Sequence, residues 1–262
     1  MTSEFPRGEW RLIDSGTTDP AYTMAVDEAI LLSRVRKDNN GNAPEATLHL
    51  YSRDPPAISL GYFQKVDDEV HIELCKQLGI QILRRGSGGG AIYTDSKQLI
   101  YGLVIPGQNL GTIQNSFSMI SQGIIETLKL FGLIGELKGL NDVVIGDKKI
   151  SGCAQTRKGN IILQHGTFMM ELDASKISQI LTPSTTKFRD KVSTDVCSRL
   201  TCLANILGYT PSHKDVKNKL IQGFENAFNV KITIGTLTEQ ENVLVEELLE
   251  RKYHNQQWNF KR

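Results

Sequence analysis

The chain has 262 residues, a formal net charge of +1 at pH 7 and 39% hydrophobic residues, values typical of a globular protein. The near-neutral charge argues against a broad basic surface for nucleic acid or membranes, though not against a local basic patch, and no apolar run approaches the length of a membrane span. The N-terminal residues lack the apolar core of a signal peptide, so we expect a cytoplasmic protein. The four cysteines fit no zinc spacing and are expected to be free thiols.

Short strands and helices alternate in the first half of the chain. The hydrophobic pattern predicts a strand at 10–13, then a helix that begins at Pro20 and runs to about Arg36. Further on, it predicts a helix over 67–78, which Gly79 ends. The remaining predicted strands of this half are 46–52, 57–60, 80–83, 91–93 and 99–105.

The second half contains the clearest helical pattern, an apolar spacing of three or four over 113–131. A tight hairpin follows, with Gly146-Asp147 at its turn, and then a strand over 161–172. The polar residues 183–194 indicate a mobile surface segment. The last predicted elements are a helix at 213–228, a strand at 230–234 and a helix at 238–252 with a capping box of Thr238 and Glu241.

Short turns between most strands favour an α+β fold with a mixed, largely antiparallel sheet flanked by helices. We expect one domain over residues 1–262. Within it, residues from about 210 to 262 are expected to form a small helical appendage.

The stretch from Arg84 to Asp95, which reads RRGSGGGAIYTD, combines two arginines with four glycines. Glycine leaves the backbone free to lie flat against a ligand, and bare amides beside guanidinium groups suit a phosphate or an acyl phosphate. The alternative is a hairpin turn with a glycine bulge.

Three further features could carry chemistry. Asn141-Asp142 could bind a nucleotide edge or a magnesium ion, although such residues are also common in loops. Lys148 and Lys149 are predicted to point to opposite faces of the hairpin, so one could enter a site. His165, inside an apolar strand, could hold a carbonyl group or could be a hydrogen-bonded interior residue.

Cys153 is a candidate nucleophile because a nearby lysine would lower its pKa. It would share a strand face with Lys149 only if the strand stays regular through Gly152. A buried, unreactive thiol is the alternative. No Ser-His-Asp set and no helix-borne metal motif is evident.

Together these stretches resemble the lipoate-protein ligase A and octanoyltransferase family, which is related in fold to biotin protein ligases. Their order and spacing extend from about Trp10 to Trp258-Asn259. The matching pieces are Arg84-Arg85 with Gly88, Gly89, Gly90, Ala91 and Asp95; Gly61 with Gln64; Asn141-Asp142; Gly146 to Gly152 with Lys149; and His165-Gly166.

The resemblance implies an ATP-dependent ligase with Mg2+. Lipoate and ATP give lipoyl-AMP, and the lipoyl group passes to a lysine of a lipoyl domain in a 2-oxoacid dehydrogenase E2 or of the glycine-cleavage H protein. Lys149 would contact the phosphate and the carbonyl oxygen, and Arg85, with Arg84 nearby, would hold the carboxylate and phosphate.

The remaining residues would form the pocket around these groups. The acyl chain would be approached by Gly88, Gly89, Gly90 and Ala91, and the adenosine would be lined by Ile92, Tyr93 and Asp95. The nucleotide or the magnesium ion would lie at Asn141 and Asp142. The pocket lining would include Gly61 and Gln64, and its wall would include His165.

The chain departs from the family pattern in three ways. Thr94 stands where many relatives have histidine. Octanoyltransferases need a nucleophilic cysteine, which in one branch lies ahead of the lysine hairpin, where this chain runs Leu140-Asn141-Asp142 without one. In another branch the cysteine follows a proline, and this chain has Ser184 after Pro183. Both differences favour the ligase. The chain also stops soon after Trp258, where two-domain ligases continue, so a separate accessory chain is expected to be needed for making lipoyl-AMP.

Two other functions stay open at this point. One is an octanoyl or lipoyl transferase that uses Cys153 as its nucleophile. The other is a non-catalytic protein that binds an acyl chain or a nucleotide.

Overall fold

An eight-stranded sheet organises the computed structural model, which describes residues 8–39, 46–108, 110–181 and 198–262. The strands of this sheet are β1 (Glu9–Thr18), β2 (Thr47–Arg53), β6 (Gln98–Pro106), β7 (Glu136–Lys138), β8 (Asp142–Ile145), β9 (Lys148–Lys158), β10 (Ile161–Met169) and β11 (Lys231–Ile234). Their order across the sheet is β11-β1-β2-β6-β10-β9-β8-β7. A second sheet of three strands contains β3 (Ala57–Leu60), β4 (Gln81–Arg84) and β5 (Ile92–Thr94).

Strand direction confirms the predicted fold class. Within the large sheet, β1 is parallel to both β2 and β11. The pairs from β2 onward are all antiparallel. In the small sheet, β3 is parallel to β4 and antiparallel to β5.

Helices cover both faces of the large sheet. They are α1 (Pro20–Asn39), α2 (Val66–Glu69), α3 (Ile72–Gln77), α4 (Ile113–Leu130), α5 (Ala174–Ile180), α6 (Leu203–Leu207), α7 (His213–Phe228), α8 (Glu239–Leu248) and α9 (Gln256–Asn259), with a π-helical turn at Leu249–Tyr253 between the last two. None of these helices has the length and apolar character needed to span a bilayer, within the ranges described.

The large sheet has an apolar core on each face, and a third cluster packs around the small sheet. On one face, Ile120 and Ile124 of α4 and Leu220 and Phe224 of α7 pack over Leu103 of the sheet. On the other face, the apolar stripe of α1 packs over β6 and β10, where Val104 and Leu163 are buried. Burial of an apolar stripe with a period of 3.6 residues stabilises each of these helices against the sheet.

The prediction of a single helix over 67–78 is wrong, because the chain leaves the helical conformation at Val70 and His71. Val70 forms a β-bridge with Leu181, and the His71 amide donates to the Ile180 carbonyl at 2.9 Å. Two short helices, α2 and α3, replace the single long one. The apolar spacing continues across the break, so the pattern alone does not show it.

The residues after 210 do not stand apart from the rest of the fold. β11 extends the large sheet beside β1, and α7 contributes Val216, Leu220 and Phe224 to the first core. The predicted capping box is confirmed, since Thr238 and Glu241 bond reciprocally at the start of α8. The predicted polar segment at 183–194 lies outside the described residues.

Candidate active site

A cavity of about 310 Å3 opens beside the glycine stretch. Lys149 of β9, His165 of β10 and Arg85 contribute polar groups to its lining. The lining also includes apolar side chains, among them Met169, Leu172, Ile177, Leu181 and Leu200. This mixture suits a ligand that has both an apolar chain and an anionic group.

Arg85 holds the backbone of residues 86–90, which we name the glycine loop. Its Nη2 donates to the carbonyl oxygens of Gly88 at 2.7 Å and Gly90 at 2.8 Å. Its Nη1 donates to the Ser59 carbonyl at 2.6 Å. Burial, together with the nearby Arg53, lowers the pKa of Arg85 to about 10, so the guanidinium stays charged at neutral pH. Arg85 therefore shapes the loop at the cavity wall, and its contact with a ligand stays a prediction.

Gly61 and Gln64 brace the glycine loop instead of lining the cavity. A Cβ at Gly61 would overlap the carbonyl oxygen of Gly89, so only glycine allows the two backbones to approach this closely. Gln64 Oε1 accepts a hydrogen bond from the Gly61 amide at 2.8 Å. Gly89 itself has a φ of +92°, which disfavours any other residue. Gly88 gives its carbonyl to Arg85 and is not among the lining residues.

Arg84 differs from Arg85 because its side chain is fully buried away from the cavity. Its Nη1 donates to the carbonyl oxygens of Gly61 at 2.9 Å and Gln64 at 2.7 Å. Its backbone amide donates to Asn259 Oδ1 at 2.9 Å, and its carbonyl accepts from Trp258 Nε1 at 2.8 Å. Arg84 thus ties the end of the chain to the turn that braces the loop.

Lys149 and Asp142 form an ion pair across β8 and β9. Lys149 Nζ lies 2.6 Å from Asp142 Oδ1, and the two side chains are 31% and 36% exposed. A register shift opposite Val143 and Val144 pairs Asp142 with Gly152 and Val144 with Lys149. The Lys149 side chain consequently lies across Gly152.

That register shift breaks the regular strand from which a shared face of Lys149 and Cys153 was predicted, although both residues line the cavity. The strand is not regular between Lys149 and Cys153, and the Cys153 thiol belongs to the core cluster that contains Tyr101 and Phe168. Burial raises the pKa of Cys153 to about 12, although Tyr101 and Lys149 act to lower it. At neutral pH the sulfur is a thiol, and the thiolate is the nucleophilic form.

Asn141 is held by the backbone of β9. Its Nδ2 donates to the Cys153 carbonyl at 2.7 Å, and its own carbonyl accepts from the Cys153 amide at 3.1 Å. Asn141 lines the cavity beside Lys149. Its contact with a nucleotide stays a prediction.

The residues that follow the glycine loop line the cavity, but Asp95 does not. Ala91, Ile92 and Tyr93 line the cavity, and their contacts with an acyl chain or an adenosine stay predictions. Asp95 accepts hydrogen bonds from Tyr93 Oη at 3.0 Å and the Lys97 amide at 2.8 Å, and it does not line the cavity. Thr94 is buried, lines the cavity and accepts from Arg53 Nη1 at 3.1 Å.

A buried polar network behind His165 was not predicted. Its centre is Asp27 of α1, which contacts His49 and Tyr51 of β2. His165 lies in the cavity wall and reaches Ser87 of the glycine loop through its Nε2 at 2.7 Å. The available signal was a carboxylate pair, Asp27 and Glu28, inside the apolar stripe of α1.

Glu28, the residue after Asp27, contacts a different set of partners near the end of the chain. It contacts Lys252 and accepts from Tyr253 Oη at 2.6 Å, both in the π-helical turn. Lys158 of β9 lies 3.2 Å away. Burial disfavours the charged form of Glu28, but Lys252, Tyr253 and Lys158 together outweigh this and lower its pKa.

No group of three or more His, Cys, Asp or Glu side chains suited to a metal ion occurs in the part of the chain that the structure describes. The predicted magnesium ligand Asp142 is a single carboxylate in an ion pair. Mg2+ is often held by one or two carboxylates together with phosphate oxygens, so Asp142 fits an ion that arrives with a nucleotide.

The chain matches known proteins over nearly its whole length. The octanoyltransferases LipM of Geobacillus kaustophilus and of Clostridioides difficile are both 30% identical to it, over 97% of this chain and 98% and 99% of theirs. A bipartite lipoate protein ligase from Thermoplasma acidophilum superposes with a TM-score of 0.87 at 29% identity, covering 97% of both chains. An ATP-bound lipoate-protein ligase A superposes with a TM-score of 0.83 at 27% identity, covering 96% of this chain and 98% of that one. The model of the lipoyl protein ligase A/B catalytic domain matches residues 19–225, and the chain therefore belongs to that family.

Proposed function

We propose that this protein transfers a lipoyl or octanoyl group from an acyl-adenylate to the ε-amine of a lysine on a lipoyl-domain protein. The observation that carries the proposal is the position of Lys149, whose side chain lines a cavity with apolar walls. Apolar walls suit an acyl chain, and an ammonium suits the phosphate and carbonyl oxygens of an adenylate.

The proposed reaction has two steps. A carboxylate oxygen of lipoate attacks the α-phosphorus of ATP, and pyrophosphate leaves. The acceptor amine then attacks the acyl carbon, the bond to the phosphate oxygen breaks, and AMP leaves. Negative charge grows on oxygen atoms in both steps, and the Lys149 ammonium stabilises it. In this proposal Gly89, Gly90 and His165 contact the acyl group, and Ile92 and Tyr93 contact the adenosine.

Magnesium would accompany ATP in the first step only. The ion neutralises phosphate charge when bound, and Asp142 and Asn141 are the residues we assign to it. Since the Lys149–Asp142 pair is partly exposed, Lys149 can exchange its carboxylate partner for a phosphate at modest cost.

An octanoyltransferase is the second candidate, favoured by the likeness to LipM. That chemistry passes the acyl group through a cysteine thioester, and the buried, protonated Cys153 does not suit it. The alignment with LipM also runs over 279 positions, more than the 262 residues here, so LipM has residues without a counterpart in this chain.

A second polypeptide and an acceptor complete the proposal. The similar ligase from Thermoplasma acidophilum is bipartite and was studied with its E2 lipoyl domain. By analogy we propose that an accessory chain supports adenylate formation here. The proposed acceptors are lipoyl domains of 2-oxoacid dehydrogenase E2 and the glycine-cleavage H protein.

The test measures the mass of an apo lipoyl domain after incubation with the enzyme and one acyl donor at a time. The donors are lipoate with magnesium-ATP, synthetic lipoyl-AMP, and an octanoyl thioester. A variant with serine at Cys75, Cys153, Cys197 and Cys202 is run beside the wild type, and circular dichroism checks its fold.

We expect acylation from lipoyl-AMP by both proteins, which would support adenylate chemistry. A mass gain from the octanoyl thioester that disappears in the cysteine-free variant would replace the proposal with the transferase. Binding of lipoyl-AMP with no acylation from any donor would instead indicate a non-catalytic binding protein. Acylation from lipoyl-AMP but not from ATP would indicate the missing accessory chain.

A further inference from the structure

Asp27 is 3% exposed and faces three side chains of the sheet. Its Oδ1 accepts a hydrogen bond from His49 Nδ1 at 2.8 Å, and its Oδ2 accepts from Tyr51 Oη at 2.9 Å. His165 Nδ1 lies 3.6 Å from the same Oδ2. Burial opposes ionisation, but the hydrogen bond from His49 and the nearby His165 ring together outweigh it and hold the pKa of Asp27 well below its usual range. The ionised carboxylate can only accept hydrogen bonds.

The outer nitrogen of each histidine faces a serine hydroxyl. His49 Nε2 lies 2.9 Å from Ser15 Oγ, and His165 Nε2 lies 2.7 Å from Ser87 Oγ. A lone pair on Nδ1 would repel the carboxylate, which favours the form of the His165 ring that carries its proton on Nδ1. Burial lowers the pKa of His165 and keeps the ring neutral. Its Nε2 therefore accepts, and the Ser87 hydroxyl donates.

Ser87, His165 and Asp27 are the residue types of a hydrolytic triad, but their positions do not suit one. Ser87 is 2% exposed and is not among the residues that line the 310 Å3 cavity. A nucleophile must reach the substrate carbon. The Ser87 hydroxyl instead connects the glycine loop to His165 and, through that ring, to α1.

Gly102 of β6 provides the space that this arrangement needs. A Cβ at this position would overlap Asp27 Oδ1. The backbone of β6 thus admits a carboxylate from α1 close enough to reach histidines on the two neighbouring strands, β2 and β10.

We propose that Asp27 is a positioning residue, which fixes the Nδ1–H tautomer of His165 and, through Ser87, holds the glycine loop against the large sheet. Its effect on acyl transfer rests on the proposed function. The tautomer and the order of the loop do not, and both can be measured without substrate.

The first test is 15N NMR of the histidine rings in the unliganded protein, which shows the protonated nitrogen of each ring. We expect Nδ1–H signals from His49 and His165, assigned by their loss in His49→Gln and His165→Gln. In Asp27→Asn we expect His165 to lose its Nδ1–H preference. An Nε2–H tautomer for His165 in the wild type would overturn the proposal, whether or not acyl transfer is detected.

The second test follows amide hydrogen exchange in the glycine loop. Asp27→Asn and Ser87→Ala are both expected to speed exchange at 88–90, while Ser87→Ala keeps the Nδ1–H signal of His165. The matched control is Asp215→Asn, a half-exposed carboxylate of α7 that pairs with Lys219 far from the glycine loop in sequence, which should change neither measurement. Unchanged loop exchange in both Asp27→Asn and Ser87→Ala would also overturn the proposal.

The third measurement is kinetic and uses lipoyl-AMP as donor. Displacement of the cavity wall in Asp27→Asn is expected to lower kcat/KM by about tenfold to a hundredfold, and the Asp215→Asn control should match the wild type. Wild-type activity in a variant that has lost the tautomer would overturn the positioning role. An inactive wild type would count against the proposed function and would leave the NMR and exchange results to decide this proposal.

Discussion

Lys149 Nζ lies 2.6 Å from Asp142 Oδ1 on the neighbouring strand, and both side chains are about one-third exposed. Water screens a pair of this kind, so its contribution to stability is about 0–1 kcal/mol. Neither residue is needed to hold the hairpin together. Changes at this pair can therefore be read in activity with little interference from unfolding.

The first prediction concerns the two lysines of the hairpin. Lys149→Ala removes the cation at the cavity and is expected to lower the rate of transfer from lipoyl-AMP by about 10²–10³-fold. Lys148→Ala, at an exposed neighbouring position, should have the wild-type rate and serves as the matched control. Single-turnover kinetics with purified lipoyl-AMP measures both. Equal rates for the two variants would contradict the role of Lys149.

The second prediction contrasts two glycines. Gly61→Ala forces the new Cβ against the Gly89 carbonyl and is expected to lower the free energy of unfolding by about 1–3 kcal/mol. Gly88→Ala places its Cβ in open space and should change this free energy little. Urea denaturation followed by circular dichroism gives both values. A stable Gly61→Ala protein would show that the loop moves aside easily.

The third prediction concerns Arg84. Arg84→Met removes the guanidinium that donates to the carbonyl oxygens of Gln64 and Asn259, and each buried group left unsatisfied costs about 1–3 kcal/mol. We expect a clear fall in Tm. Arg251→Met, at an exposed position, is the control and should stay within about 0.5 kcal/mol of the wild type.

The fourth prediction concerns thiol reactivity. Burial raises the pKa of Cys153 to about 12 and that of Cys75 to about 11, so both are thiols at neutral pH. Iodoacetamide at pH 8 should label neither residue in the native protein, as read by peptide mass spectrometry. All four cysteines should be labelled after denaturation. Rapid native labelling of Cys153 would restore it as a candidate nucleophile.

The fifth prediction concerns pH. The pKa of Asp27 is lowered in the folded state by His165 and His49 against the opposing effect of burial, so its ionised form stabilises the fold above the unfolded pKa of about 4. Below that pH this stability is lost progressively, because Asp27 takes up a proton in the unfolded chain before it does so in the folded protein. The difference in free energy of unfolding between wild type and Asp27→Asn should therefore shrink from pH 5 to pH 3. A difference that stays constant over this range would show that Asp27 acts without its charge.

Elements set by close neighbours could be predicted from the sequence. The turn at Gly146-Asp147, the apolar spacing of α4 and the capping box of Thr238 and Glu241 each depend on residues only a few positions apart. The break between α2 and α3 depends instead on Leu181, which pairs with Val70 from far along the chain. The apolar spacing within a segment gives no information about a partner strand elsewhere in the chain.

The same limit applies to the candidate site. The glycine stretch has a recognisable local pattern, whereas Lys149 could be picked out only through the ordered set of motifs that resembles the family. The ring of His165 meets Ser87 across 78 positions, and the bond from Arg84 to Asn259 spans 175. Such contacts arise only when the sheet assembles. Arg84 and Arg85 are therefore adjacent in sequence but serve different parts of the structure.

Asp27 and Glu28 are consecutive residues of α1, and they bind in different directions. One reaches the histidines behind the cavity, and the other reaches Lys252 and Tyr253 in the π-helical turn. Because successive side chains on a helix diverge by about 100°, α1 cannot slide or rotate without disturbing both sets of bonds. A shift of α1 would therefore change contacts both at the cavity wall and in the π-helical turn.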